Sequence, residues 1–170
     1  MLLRIGLLLL LALSAQADGN VSGRVLKALP LYLDTQGRTG TSPSLFERDA
    51  YQAQLRKNPA LRSGIEFAVH WKATGPKETP LTLRIELRGG QPGKLPTKAT
   101  LEEKVTPKAG LFGAWTSLKL VGDEYKRVGE ANSWRVTLWN GSTLLGEEKS
   151  FLWQPEPRVA TARTNAVPAK

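Results

Sequence analysis

Two runs of strict alternation constrain this chain more than anything else in it. Ile65, Phe67, Val69 and Trp71 alternate with Glu66, Ala68, His70 and Lys72. After a Gly75-Pro76 turn, Leu81, Leu83, Ile85 and Leu87 alternate with Thr82, Arg84, Glu86 and Arg88. Successive side chains of a strand point to opposite faces, so each run predicts a strand with one dry face and one wet face. The two are expected to be neighbouring core strands of an antiparallel structure.

The stretch from Ser133 to Trp153 predicts a closing β-hairpin. Trp134, Val136 and Leu138 alternate with Arg135, Thr137 and Trp139, and Asn140-Gly141 supplies residues that tolerate positive φ. The second arm runs from Leu144 to Trp153. Glu147-Glu148-Lys149 breaks its alternation, which predicts an exposed edge or a bulge there. Loops of two, three or four residues all fit.

The remaining elements follow in order. Val21 to Leu33 reads as a first strand with Val25, Leu29, Leu31 and Leu33 inward. Pro30 cannot donate to a ladder and places this strand at an edge or at a crossing between sheets. Ser42 as N-cap and Pro43 as first residue start a helix to Lys57, which Asn58-Pro59 ends. Phe46, Ala50 and Ala53 form its expected apolar side. A sharper reading turns Arg48 and Tyr51 toward a ligand. Lys98 to Val105 is a charged edge strand, and Trp115 to Val121 a further strand with Leu118 and Leu120 inward.

The expected fold class is therefore all-β: an immunoglobulin-like antiparallel β-sandwich of about seven strands, with one helical insertion after the first strand. The crossover from Leu118-Lys119-Leu120 through Gly122-Asp123 to Trp134-Arg135-Val136 resembles the approach to the sixth strand in immunoglobulin-like and fibronectin III-like domains. Trp134 then falls where those domains carry a corner tyrosine. The chain departs from them in having no paired cysteines, no Trp between Leu81 and Leu87, and the inserted helix. The resemblance implies adhesion, scaffolding or recognition, and no chemistry.

Three segments divide the chain. Arg4, the apolar run Ile5 to Leu13 and Ala15-Gln16-Ala17 have the form of a signal peptide over residues 1–17, cut after Ala17. The apolar run is too short for a membrane span, which takes about 20 residues. The domain is expected to occupy residues 18–154, and the proline-containing residues 155–170 are expected to form a disordered tail. An exported chain, periplasmic or extracellular, is expected, with no transmembrane segment after cleavage. It contains no cysteine, which removes disulfides and thiol chemistry. The formal charge of +9 favours anionic partners: lipid head groups, acidic polysaccharide or nucleic acid. The cations are scattered and not gathered in one block, so no specific nucleic acid is implied.

Candidate chemistry is sparse. His70 is the single histidine, on a wet strand face without a partner in sequence. The pairs Glu102-Glu103 and Glu147-Glu148 point to opposite faces of their strands, and Asp123-Glu124 lies in a loop. No catalytic residue, metal site or cofactor is expected, and the chain reads as a non-enzyme. The five tryptophans are the better lead. Trp71 and Trp134 share parity with aliphatic residues, whereas Trp139 shares parity with Arg135 and Thr137. Either Trp139 is an outward aromatic platform, or Trp139 and Trp153 lie beneath the helix Ser44 to Leu55. The expected role is an exported interaction or structural module. It would bind a protein partner through the closing hairpin around Trp139 and Arg135, or through the free edge Lys98 to Val105. The alternative is a small carbohydrate- or polyanion-binding protein using Trp139 with Arg84, Arg88 and His70. Nothing in the sequence sets an oligomeric state.

Overall fold

The computed structural model describes residues 21–90, 93, 95–108 and 112–154. The expected signal peptide and the tail 155–170 lie outside them. In chain order the elements are β1 (Ser22–Asp34), α1 (Leu45–Lys57), a short 3-10 turn (Pro59–Leu61), β2 (Arg62–Thr74), β3 (Leu81–Gly90), β4 (Thr97–Val105), β5 (Ala114–Val121), α2 (Gly122–Val128), β6 (Glu130–Asn140) and β7 (Thr143–Lys149). Every pairing is antiparallel. A three-stranded sheet runs β1-β2-β5 and a four-stranded sheet runs β4-β3-β6-β7. The expected all-β sandwich with a helix inserted after the first strand is what the chain forms.

The two alternating runs supply the core, but from opposite layers. Phe67, Val69 and Trp71 project from β2, and Leu81, Leu83, Ile85 and Leu87 face them from β3. The expectation that these strands are neighbours is therefore corrected, because the connection after Thr74 crosses from one sheet to the other. Parity reports which face is dry and is silent about which sheet a strand joins. Leu118 and Leu120 of β5 and Val136 and Leu138 of β6 complete the core. Burying one such side chain contributes about 1.5–3 kcal/mol. Trp134 meets Phe67 edge-on at 5.9 Å.

β1 departs from its predicted pattern. Its register against β2 slips between Val25 and Lys27, leaving Leu26 as an extra residue. A slip of one residue turns the following side chains over. Val25 stays in the core, whereas Leu29 and Leu31 pair with Ala68 and Glu66 on the outer face and are only half-buried. Leu33 is buried on that outer side too, where its Cδ1 covers Gly64.

What covers Leu33 is α1. Leu33 and Leu55 are each only 1% exposed yet stand outside the main core cluster. The helix docks through Arg48, Tyr51, Gln52 and Leu55, the i, i+3, i+4, i+7 stripe of one helical face. Its predicted apolar side is wrong: Phe46 and Ala50 are exposed. Docking is polar. The Gln52 amide accepts from Tyr32 N at 2.8 Å and donates to the carbonyls of Tyr32 and Thr39 at 2.9 and 2.8 Å. The N-cap is Ser44, whose hydroxyl accepts from Glu47 N, so the start lies two residues later than Ser42 implied. Asn58 ends the helix as expected.

Asp34, at the end of β1, fixes the loop leading to this helix. Its buried carboxylate accepts from Gln36 N at 2.8 Å, from Arg38 N and Arg38 Nε at 2.9 Å each, and from the Tyr51 hydroxyl at 2.7 Å. Burial pushes its pKa up, but the hydrogen bonds from the Arg38 amide, the Tyr51 hydroxyl, the Arg38 side chain and the Gln36 amide outweigh it and hold the pKa at about 2.

The hairpin forms with a two-residue loop, Gly141-Ser142, in which Gly141 alone takes a positive φ of 55°. That places glycine first in the loop, as a II′ turn requires. The bulge falls at Leu145, between the pairs Leu138–Gly146 and Trp139–Leu144, and not at Glu147-Glu148. β7 ends at Lys149, short of the predicted Trp153. Gly146 lets β7 lie directly on β1. A Cβ there would sit 2.7 Å from Arg24 Cα and 3.0 Å from Val25 N, both backbone atoms that cannot swing aside. Gly146→Ala is expected to cost about 2 kcal/mol by overpacking this seam. A urea midpoint equal to that of the parent protein would show that the seam yields.

Candidate functional site: the outer face of the four-stranded sheet

Outward parity on four strands builds one surface. Register brings Lys98 opposite Arg88, Thr100 opposite Glu86, Glu102 opposite Arg84 and Lys104 opposite Thr82. On the other flank of β3, Arg135 pairs with Glu86, Thr137 with Arg84 and Trp139 with Thr82, and β7 then adds Glu147 and Lys149. The face carries the cations Arg84, Arg88, Lys98, Lys104, Arg135 and Lys149 against the carboxylates Glu86, Glu102 and Glu147.

The carboxylates are held by arginines. Arg84 Nε lies 2.6 Å from Glu102. Arg135 reaches Glu147 at 2.9 Å and Glu86 at 3.6 Å. Lys104 Nζ donates to the Thr82 hydroxyl at 2.8 Å. Exposed pairs of this kind contribute little stability, about 0–1 kcal/mol each, so their consequence here is orientation. Both indoles of the face sit under a guanidinium. Arg84 lies 5.6 Å from the Trp139 ring centre and Arg88 4.0 Å from that of Trp153. Arg88 Nη1 also donates to the Gln154 carbonyl at 2.6 Å. Trp139 is half-buried, with its indole N–H enclosed and without a hydrogen-bond acceptor. Glu86, Arg88, Lys98, Thr100, Arg135 and Trp153 line a groove of about 430 Å³.

Of the residues singled out in the sequence, Arg84, Arg88, Arg135 and Trp139 share this face. His70 does not. It lies on the outside of the other sheet, its ring stacked on Trp115 at 4.8 Å with a 6° tilt and its Nε2 2.5 Å from the Phe112 carbonyl. It keeps the expected outer strand face, half-buried beside that stack. Trp139 and Trp153 are not beneath the helix, because α1 covers the three-stranded sheet. Arg48 and Tyr51 face the sandwich through that helix, with Tyr51 bonded to Asp34. Asp123 and Glu124 lie in the first turn of α2 and not in a loop, within 3.4 and 3.5 Å of Lys126 and Arg127.

Two further contributors to the groove were legible to different degrees. Lys98 was visible as an edge-strand charge, and its alternation with Thr100 and Glu102 puts it on the wet face. Trp153 left no such signal, because the chain abandons strand geometry after Lys149 and folds back over β3. Among the described residues no three His, Asp or Glu side chains gather as a metal site, and no helix is long and apolar enough to cross a membrane. By fold and face the protein is an antiparallel β-sandwich presenting a mixed but predominantly cationic sheet surface. No family model, curated protein or solved structure matches the chain.

Proposed function

We propose that the protein is an exported, non-enzymatic binding module that holds an anionic polymer against the outer face of its four-stranded sheet. One observation carries the reading: among the described residues, six cations and two cation-capped indoles share a single face with three carboxylates. The signal-like start of the sequence supports export. We also propose an immunoglobulin-like relationship in the broad sense. β1, β2 and β5 keep the company expected of the first, second and fifth strands, while β4 joins β3, unlike the arrangement of a constant-type domain.

Retention on a sulfated-polysaccharide matrix is the test. Binding that comes from charge weakens steeply as salt rises. Arg88→Gln with Arg135→Gln is expected to elute at clearly lower salt than Arg24→Gln with Lys27→Gln, which removes the same charge from the other sheet. Equal losses would mean that net charge alone is sensed, and would sink the assignment to this face. A protein partner on the closing hairpin is the second reading, favoured by Trp139 and Arg135 sharing the surface. It requires a partner captured at moderate salt and lost on Trp139→Ala.

A further inference from the structure

The chain leaves β7 through a tight turn that carries two large apolar side chains at its corner. Trp153 N donates to the Ser150 carbonyl at 3.0 Å, so Phe151 and Leu152 hold the two central positions. Such positions ordinarily take Pro, Asp, Asn, Ser or Gly, which suit a bend in water. Here Phe151 is 97% exposed and Leu152 64% exposed. The turn is pinned on both sides. Ser150 N donates to the Trp134 carbonyl at 2.9 Å, and the Ser150 hydroxyl accepts from Trp134 N at 3.0 Å. Beyond the corner Trp153 is buried, with the Arg88 guanidinium over its ring at 4.0 Å. Anchored backbone therefore carries the pair outward into water, where neither side chain gains anything from burial.

We propose that Phe151 and Leu152 form an insertion tip that seats the protein on an anionic lipid surface. Charge complementarity selects this occupant. Lys149 immediately precedes the turn, Arg135 stands opposite Lys149 in the register, and Arg88 caps Trp153 behind it. An apolar pair flanked by cations matches a bilayer whose acyl region lies beneath anionic head groups. Glu147 shares this corner, and its ion pairs with Arg135 and Lys149, at 2.9 and 3.6 Å, offset its repulsion of those groups. A second copy of the chain fits the tip less well. Among the described residues its larger grooves, at Arg24, Arg88 and Glu102, have charged linings. A convex pair needs a dry socket in a protein, whereas lipid deforms around it. Leu95, 86% exposed, leads into Thr97, which pairs with Gly89 beside Arg88, so further apolar surface stands at this end of the sandwich. The association is shallow and reversible, because two side chains bury far less apolar area than a spanning helix. It is separate from the polymer reading, which uses the charges of the sheet and does not need the tip.

Co-sedimentation with vesicles of equal parts phosphatidylglycerol and phosphatidylcholine tests this, using residues 18–170, the chain expected after signal cleavage. Binding is expected, and Phe151→Ala is expected to weaken the partition coefficient about tenfold through the apolar area it withdraws. Phe151 is almost wholly exposed, so Tm should not move and lost binding is not lost folding. Phe46→Ala is the matched control. It removes a phenyl ring 83% exposed on α1 and is expected to bind as the parent does. Phe151→Trp is expected to restore binding, and its added emission to be quenched by brominated lipid as the indole leaves water. Vesicles of phosphatidylcholine alone are expected to bind more weakly, because they lack the attraction of anionic head groups. Partition indifferent to Phe151→Ala, an equal loss with Phe46→Ala, or equal binding to both kinds of vesicle overturns the tip. Retention on the polysaccharide matrix by a protein that ignores vesicles removes the tip alone. Vesicle binding without matrix retention removes the polymer reading alone.

Discussion

Asp34→Ala is expected to cost about 3 kcal/mol, because it removes the buried carboxylate that holds the loop and the helix together. Four donors converge on this carboxylate, two of them backbone amides that cannot turn away. A loss of that size lowers Tm by roughly 6–12 °C in a domain of this length. Asp34→Asn keeps an acceptor and removes only the charge, so its cost should be smaller and its pH dependence diagnostic. The carboxyl has a folded pKa of about 2 against an ordinary 3.8. A depressed pKa means that the contribution is complete above pH 4 and is lost as pH falls from about 4 to about 2, and its size is about 2 kcal/mol. Urea unfolding of parent and Asp34→Asn at pH 7, 4, 3 and 2 isolates this group from the other carboxylates. The stability gap between the two proteins should close on acidification. A gap that persists at pH 2 would show that the charge of Asp34 is not what holds the loop.

The strand content was legible because unlike faces leave a period of two, and β2, β3 and β6 carry that period without error. β1 was misread after Val25 because a single extra residue, Leu26, exchanges its faces, and no composition marks such a slip. α1 was misread for a different reason. Its docking stripe is anchored by Gln52 and Tyr51, so the hydrophobic pattern pointed at Phe46, which is exposed. The site was legible strand by strand: parity put Arg84, Arg88, Arg135 and Trp139 on wet faces, and they share one. His70 has the same kind of parity but sits on β2, which joins the other layer. Layer membership depends on how the connections cross the sandwich, and that information is not local. Asp34 shows the converse. An Asp followed by an amide two residues on is a local turn signal, yet its bond to Tyr51 spans the loop and the helix together.

Trp71→Ala is expected to be the most damaging single truncation of a tryptophan here, at about 4 kcal/mol, the range for emptying a large core site. Trp71 is 1% exposed, and its indole N–H donates to the Thr116 hydroxyl at 2.9 Å, tying β2 to β5 through side chains as well as backbone. The two contributions separate. Trp71→Phe keeps most of the apolar volume and drops the hydrogen bond, and Thr116→Val removes the acceptor. If the bond matters, the two losses are non-additive by about 1 kcal/mol, since either change alone already breaks it. Additive losses would assign the whole effect to shape. Trp115 is the control on the neighbouring strand. It is 53% exposed and stacks on His70 on the outer face, so Trp115→Ala should cost well under half as much as Trp71→Ala. Comparable losses at both positions would mean that the outer face of β5 is packed surface, and the distinction between a filled interior and two open sheet faces, on which the placement of the binding groove depends, would fail with it.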